Sequence, residues 1–227
     1  MSDQARGPVL GIDTSAGIAV GVAAGGRVLA RRWLGDSRLH VERVTPLIAE
    51  ALAEAGIAAT GLGMIIAGMG PGPFTGLRVG IASAQTLGTA LGVPVRGVCS
   101  LDAVAAAVAE PPGEFCVISD ARRGEVYWAL YGADRARIGE PRVTPAQQVP
   151  DVAVTGPGVA LAPELAGRAL AGGPEQTDGG VLALVGPGLP EIGPEPLYLR
   201  HADANVPTSR KSTLVNRSGR VRLRGRP

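Results

Sequence analysis

The sequence predicts an α/β chain folded into two similar lobes, on three observations. Its first half alternates short apolar runs with amphipathic stretches in the order β-β-β-α-β-α-β-α. A second strand–turn–strand unit begins at Phe115. Both units carry one turn pattern: Asp13-Thr14-Ser15-Ala16-Gly17 and Asp120-Ala121-Arg122-Arg123-Gly124, each strand, Asp, three residues, Gly, strand. The spacing divides the chain into an N-terminal lobe (1–104), a C-terminal lobe (105–207) and a basic tail (208–227) expected to be disordered.

Val9 to Ile12 is an apolar strand running into Asp13. Ile18 to Ala23 and Arg27 to Trp33 follow as strands joined at Gly25-Gly26, a hairpin signal. A helix over His40 to Ala55 places Val41, Val44, Ile48, Ala51, Leu52 and Ala55 on one face, with Pro46 as a kink or an N1 residue. Met64 to Ala67 is a strand and Val79 to Leu91 a helix closed by Gly92. Val93 to Val98 is a strand, and Ser100 caps a helix over Leu101 to Ala109. Strands follow at Phe115 to Ile118 and Val126 to Tyr131. Beyond them the pattern fades: Val181 to Val185 is a short strand or helix, and Pro196 to Arg200 an extended segment.

An apolar share of 45% supports a sizeable core, and 19% charged residues argue against global disorder. Aromatics at 3% argue against a base-stacking nucleic-acid surface. The net charge of +2 hides an asymmetry: residues 210–227 carry seven basic residues and no acid, leaving the rest of the chain at −5. Such an arm could touch RNA. Cys99 and Cys116 fit no metal spacing or disulfide framework. With neither a signal-peptide pattern nor a spanning apolar run, the expected location is the cytoplasm, away from membranes.

The densest turn chemistry is Gly68-Met69-Gly70-Pro71-Gly72-Pro73-Phe74-Thr75-Gly76-Leu77-Arg78-Val79-Gly80, set between a strand and a helix. No Gly-Lys-Ser/Thr follows, so it is not a Walker A loop. It still leads into a helix N-terminus, where free N–H groups favour anions, with Thr75 as N-cap and Arg78 as an anion partner. A stiff turn accounts for the same prolines and glycines. Behind it, Gly80, Ala84 and Gly88 recur every four residues, permitting close packing inside the fold or against a partner.

His40 and His201 fall in no metal motif, so no metal ligands are assigned. Ser15, Ser83 and Ser100 lack a nucleophile elbow. Asp13 and Asp120 could face each other across a cleft, holding a metal–phosphate or acting as a base; ordinary turn aspartates account for them equally. The second turn carries two arginines where a triphosphate cradle needs glycine, so an anion there would be held by charge at a different site.

Gly11-Ile12-Asp13-Thr14-Ser15, the glycine loop from Gly70 to Gly80, Gly97-Val98-Cys99-Ser100-Leu101, Asp120 to Tyr127 and Pro196-Leu197-Tyr198-Leu199-Arg200 resemble the TsaB (YeaZ-like) family in order and spacing. The resemblance covers residues 7 to 205, and Phe-Thr-Gly-x-Arg is its most specific element. It implies the two-lobed actin-like ATPase fold (ASKHA, built from RNase H-like sheets). It also implies a bacterial, non-catalytic scaffold or activator in the complex that installs threonylcarbamoyl on the adenosine beside the tRNA anticodon. The implied partners are the catalytic paralogue TsaD and the ATPase TsaE, with tRNA reached through the complex and homodimers possible. The implied partner interface is Val41, Val44, Ile48, Phe74, Arg78, Gly80, Ala84 and Gly88. Asp13, Thr14, Ser15 and Asp120 mark the family's nucleotide position, for ATP or ADP in the cleft or at the interface, or a vestige of it. The alternatives are a small-molecule kinase or ATPase using Asp13 and Asp120, an actin-fold peptidase, and a homodimeric chaperone-like module.

Overall fold

In the computed structural model, which describes residues 7–35 and 40–200 but not the side chains of His40 and Val41, strand β1 (Val9–Asp13) is buried at every position. A strand buried throughout needs a layer on each face. Leu10 and Ile12 face helices α1 (His40–Ala55) and α2 (Phe74–Leu91). Val9 belongs to the opposite face, with Leu182 and Ala183 of helix α4 (Gly179–Val185). Strands β2 (Ile18–Ala24) and β3 (Arg27–Leu34) extend the sheet antiparallel on one side. Strands β4 (Met64–Gly68) and β5 (Val95–Val98) extend it in parallel on the other, giving the order β3-β2-β1-β4-β5. Gly25 and Gly26 turn the β2–β3 hairpin with φ of 58° and 74°, the positive pair a tight hairpin turn requires.

Helix α3 (Ser100–Ala106) leads into the second sheet and packs Leu101, Val104 and Ala105 on Phe115, Val117 and Tyr131. That sheet comprises β6 (Phe115–Arg122), β7 (Glu125–Tyr131), β8 (Arg137–Pro145) and β9 (Ala153–Thr155), in the order β8-β7-β6-β9. β6 pairs antiparallel with β7 and parallel with β9, as β1 does with β2 and β4. The repeated topology, one helix-flanked mixed sheet per lobe, is the two-lobed actin-like, RNase H-like fold.

Helix α4 follows the second sheet in sequence but packs on the first, so sequence position alone does not divide the lobes. Glycines make the contact: a Cβ on Gly11 would come 2.8 Å from Ala183 N, and one on Gly21 2.5 Å from Gly180 Cα. Asp178 caps α4 by accepting from Gly180 N (2.7 Å) and Val181 N (3.0 Å), and its Oδ2 pairs with Arg31 of β3 at 2.9 Å. The second half of the chain thereby completes the core of the first.

Several local expectations are corrected. Pro46 lies inside α1, which removes the N1 alternative and leaves it an interior residue of the helix. Helix α2 begins at Phe74, so Thr75 lies within it and Pro73 occupies the cap position. Ser100 does not cap α3; Cys99 stands there, and the Ser100 hydroxyl accepts from Gly70 N at 3.0 Å. Among the described residues no helix is long and apolar enough to cross a membrane. The basic tail and His201 lie outside the described residues.

Candidate functional site at the two aspartate turns

Asp13 ends β1 in the first turn. Its Oδ1 accepts from Ser15 N at 2.7 Å and from Ser15 Oγ at 2.6 Å, and the residue is 2% exposed. Its carboxylate lies against Gly68, where a Cβ would overlap it. Thr14 is fully buried and donates from Oγ1 to Gly76 O at 2.8 Å. Its side chain fills the space over Gly80, where an added Cβ would sit 2.9 Å from Thr14 Cγ2. Gly72 abuts the Ser15 backbone, with an added Cβ 2.8 Å from Ser15 Cα. The glycine loop is therefore shaped around this turn, each of these three glycines opposite one residue of it. Burial with satisfied hydrogen bonds makes Asp13-Thr14-Ser15 a joint between β1 and α2.

The second turn is built alike and used differently. Asp120 Oδ1 accepts from Arg122 N at 2.7 Å, the same i to i+2 bond that Asp13 makes with Ser15. Asp120 is half-buried, and Arg122 and Arg123 are exposed. Both arginines lie in the left-handed region, at φ of 62° and 58°, where the β6–β7 register shifts. A residue with a Cβ pays roughly 1–2 kcal/mol there relative to glycine.

Between the lobes lies a cleft of about 340 Å³, walled by Ser15, Trp33, Ser119, Asp120, Leu161 and Glu175 among others. Asp13 and Thr14 do not reach its walls. The expectation of two carboxylates facing each other across the cleft is corrected: Asp120 faces it, and Asp13 is committed inside its own lobe.

The C-terminal motif joins loop and turn. Leu197 N donates to Met69 O at 2.8 Å, and the Tyr198 ring sits 4.8 Å from that of Phe74. The Arg78 guanidinium lies 3.8 Å over Phe74, and its Nε donates to Tyr198 Oη at 3.3 Å. Arg200 donates to Ala121 O at 2.8 Å and forms an ion pair with Glu125. Residues 197–200 thus clasp the glycine loop of one lobe to the arginine turn of the other.

The expected partner interface is largely redirected. Val44, Ile48 and Ala84 are core residues of the first lobe. Gly80 is covered by Thr14, and Gly88 by Val93 and Val95. These five serve internal packing, because the small-residue stripe faces the sheet beneath it. Phe74 is half-buried and Arg78 exposed, while the Val41 side chain lies outside the described residues. The solvent face of α2 carries a second stripe, Arg78 followed by the small residues Ala82, Thr86 and Ala90, and α1, which packs against α2, exposes Thr45, Pro46 and Ala49. That stripe has the same four-residue period and was readable in the sequence.

A buried cluster escaped sequence reasoning. Asp102 of α3, 5% exposed, accepts from Tyr131 Oη at 2.8 Å and lies 3.0 Å from Arg137 Nε. Its Oδ2 has no hydrogen-bond partner among the described residues, nor does Arg137 Nε in hydrogen-bonding geometry. Burial raises the Asp102 carboxyl above the usual aspartate range, against the lowering effects of Tyr131 and Arg137. Burial pushes the neighbouring Cys99 thiol up to about 12, with Asp102 adding to it, and burial takes Cys116 to about 12 as well. Among the described residues no three His, Cys, Asp or Glu side chains stand close enough to hold a metal ion.

Comparison with known proteins gives these features a setting. The family described as TsaD: tRNA N6-adenosine threonylcarbamoyltransferase matches residues 35–160. An uncharacterized protein of Mycobacterium leprae is 43% identical over 221 residues, covering 91% of this chain and 58% of that protein. The Escherichia coli tRNA threonylcarbamoyladenosine biosynthesis protein TsaB is 36% identical over 117 residues, covering 51% of each chain. The chain thus spans little more than half the length of these two relatives. A crystal structure from Pseudomonas aeruginosa, described as an uncharacterized protein with similarity to peptidase YeaZ, superposes with a TM-score of 0.68 at 29% identity, over 86% of this chain and all of that one.

Proposed function

The chain belongs to the TsaD (tRNA N6-adenosine threonylcarbamoyltransferase) family as a TsaB/YeaZ-like member, and on that premise we propose that it takes part in forming threonylcarbamoyladenosine in tRNA as a non-catalytic scaffold. In this role it works in the cytoplasm, holding a catalytic TsaD-type subunit in its competent arrangement and reaching tRNA only through the complex. A TsaE-type ATPase joins the assembly.

One observation carries the scaffold reading. The first aspartate turn is filled by the chain itself, with Asp13 and Thr14 buried and bonded to Ser15 and Gly76. A turn occupied by its own glycine loop has no room to wrap a nucleotide's phosphates. The same packing supports a rigid α2, and a rigid helix with a small-residue outer face suits close helix–helix contact. The proposed partner surface is therefore Arg78, Ala82, Thr86 and Ala90 of α2 with Thr45, Pro46 and Ala49 of α1.

Tryptophan substitutions separate this surface from the buried stripe. Ala82→Trp and Thr86→Trp should leave the monomer's melting temperature unchanged while weakening co-sedimentation with the catalytic subunit at least tenfold. Ala84→Trp should unfold the monomer, because its site is fully enclosed. Undiminished pairing by both surface variants would refute this interface.

A further inference from the structure

The buried ion pair of the second lobe borders a cavity of about 650 Å³, and its polar atoms are not all used. Asp102 of α3 and Arg137 of β8 form part of the wall, 3.0 Å apart. Tyr131 donates to Asp102 Oδ1, and Oδ2 has no hydrogen-bond partner among the described residues. Arg137 Nε lies beside the same carboxyl group but outside hydrogen-bonding geometry, so its N–H is unspent as well. The Cys99 thiol next to the carboxyl is at most a weak donor.

Buried polar atoms are ordinarily paired, so an acceptor and a donor left open on one ion pair call for an occupant. Asp102 is 5% exposed, and bulk solvent does not supply one. A bridging water takes about 30 Å³, a small part of the space. The rest of the wall narrows the chemistry. Ala106, Ala136, Leu189 and Pro190 give it an apolar side. Arg135 also lines it, but its Nε and Nη2 already donate to Val108 O at 2.7 Å and Ala109 O at 2.6 Å. Asp134 accepts from Ala136 N at 3.0 Å, and Glu140 from Arg137 Nη1 at 3.4 Å. What stays open is Asp102 Oδ2 and Arg137 Nε, an acceptor beside a donor. A carboxylate ligand would be repelled by Asp102 and an ammonium by Arg137. A neutral group carrying both a donor and an acceptor escapes both penalties and costs least to desolvate.

We propose that this cavity binds a small molecule through a primary carboxamide, whose N–H donates to Asp102 Oδ2 and whose carbonyl accepts from Arg137 Nε, with the apolar part of the molecule on Leu189 and Pro190. None of the wall residues belongs to the two aspartate turns, the 197–200 clasp or the proposed partner surface. The site requires no partner subunit and stands apart from the scaffold role.

The test uses the full chain and three probes of one shape: benzamide, benzoate and benzylamine. Each is titrated at fixed ionic strength, at a pH where benzylamine is charged, and followed by ligand-observed NMR and thermal melting. The wild type should bind benzamide saturably, at least tenfold more tightly than either charged probe. Asp102→Asn keeps an acceptor for Tyr131 and sets an amide nitrogen in place of Oδ2. It should weaken benzamide binding at least tenfold and make benzoate the tighter of the two, because two adjacent donors now suit a carboxylate. A purely structural ion pair would leave the order of the probes unmoved. Ala136→Trp, at an exposed position on the wall, should abolish benzamide binding without changing the melting temperature of the free protein, and it carries the test if Asp102→Asn does not fold. Absence of saturable benzamide binding, equal affinity for the three probes, an unchanged order in folded Asp102→Asn, or binding untouched by Ala136→Trp would overturn the assignment.

Discussion

Gly80→Ala tests the joint between β1 and α2 most sharply. Mid-helix, the change from glycine to alanine should stabilise by about 1 kcal/mol if helix propensity alone acted. Here the new methyl meets the Thr14 side chain, 2.9 Å from Cγ2 and closer still to Oγ1. Overpacking a closed site costs about 1–3 kcal/mol. Displacing the Thr14 hydroxyl from Gly76 O leaves a buried polar group unpaired, about 1–3 kcal/mol more. The net expectation is destabilisation of about 3 kcal/mol, seen as a melting temperature lower by about 6–12 °C for a chain of this size. Thr14→Ala alone loses the hydrogen bond and some packing, about 1–2 kcal/mol. Combined with Gly80→Ala it makes room for the new methyl, so the double variant should be at least about 1 kcal/mol more stable than additivity predicts. Urea denaturation of the four proteins measures this cycle. A Gly80→Ala variant as stable as wild type, or strictly additive effects, would refute the account of the glycine loop as a mould for the turn.

Other outcomes follow from the buried cluster. Because the folded-state pKa of Asp102 is raised, the native state holds this proton more tightly than the unfolded chain does. Its contribution to stability should fall as pH rises from the ordinary aspartate range through its own midpoint. The difference in urea midpoint between wild type and Asp102→Asn should therefore shift against the wild type over that window; a shift in its favour would reverse the assigned direction. Cys99 and Cys116, both buried with thiols pushed up to about 12, should resist a disulfide exchange reagent at pH 8 until the chain is denatured. Rapid native labelling of either would contradict their burial.

The first lobe was legible because its elements carry strong signals: apolar runs for β1, β2 and β4, the Gly25-Gly26 pair at the β2–β3 hairpin, and a helical period through α1. The second lobe was less so for physical reasons. β8 is an edge strand with Gly139, Pro141 and four charged or exposed positions in sequence, so it shows no alternation. β9 has three residues. Helix α4 opens with Gly179-Gly180, which reads as a loop until Gly11 and Gly21 are seen to need bare backbone against them. The two aspartate turns were found by their shared pattern; each makes the i to i+2 bond common to turn aspartates, and what the lobes share is the antiparallel-then-parallel pairing of β1 and β6. What the pattern could not give was their difference. Asp13 is buried because the glycine loop folds over it, a contact between residues more than fifty positions apart. The inner stripe of α2 failed as an interface for the same reason, since spacing alone does not say which face meets the sheet.

The central claim, that this chain supports tRNA threonylcarbamoylation without contributing a reacting group, is tested most directly by reconstitution. Formation of threonylcarbamoyladenosine on unmodified tRNA would be measured with the catalytic subunit, the ATPase partner and a threonylcarbamoyl donor. The assay would run with this chain, without it, and with an Asp13→Asn variant that keeps an acceptor for Ser15. The account predicts that activity requires the chain and that the folded variant restores it in full. Activity that is undiminished without the chain, or lost with a folded, complex-forming Asp13→Asn protein, would contradict it.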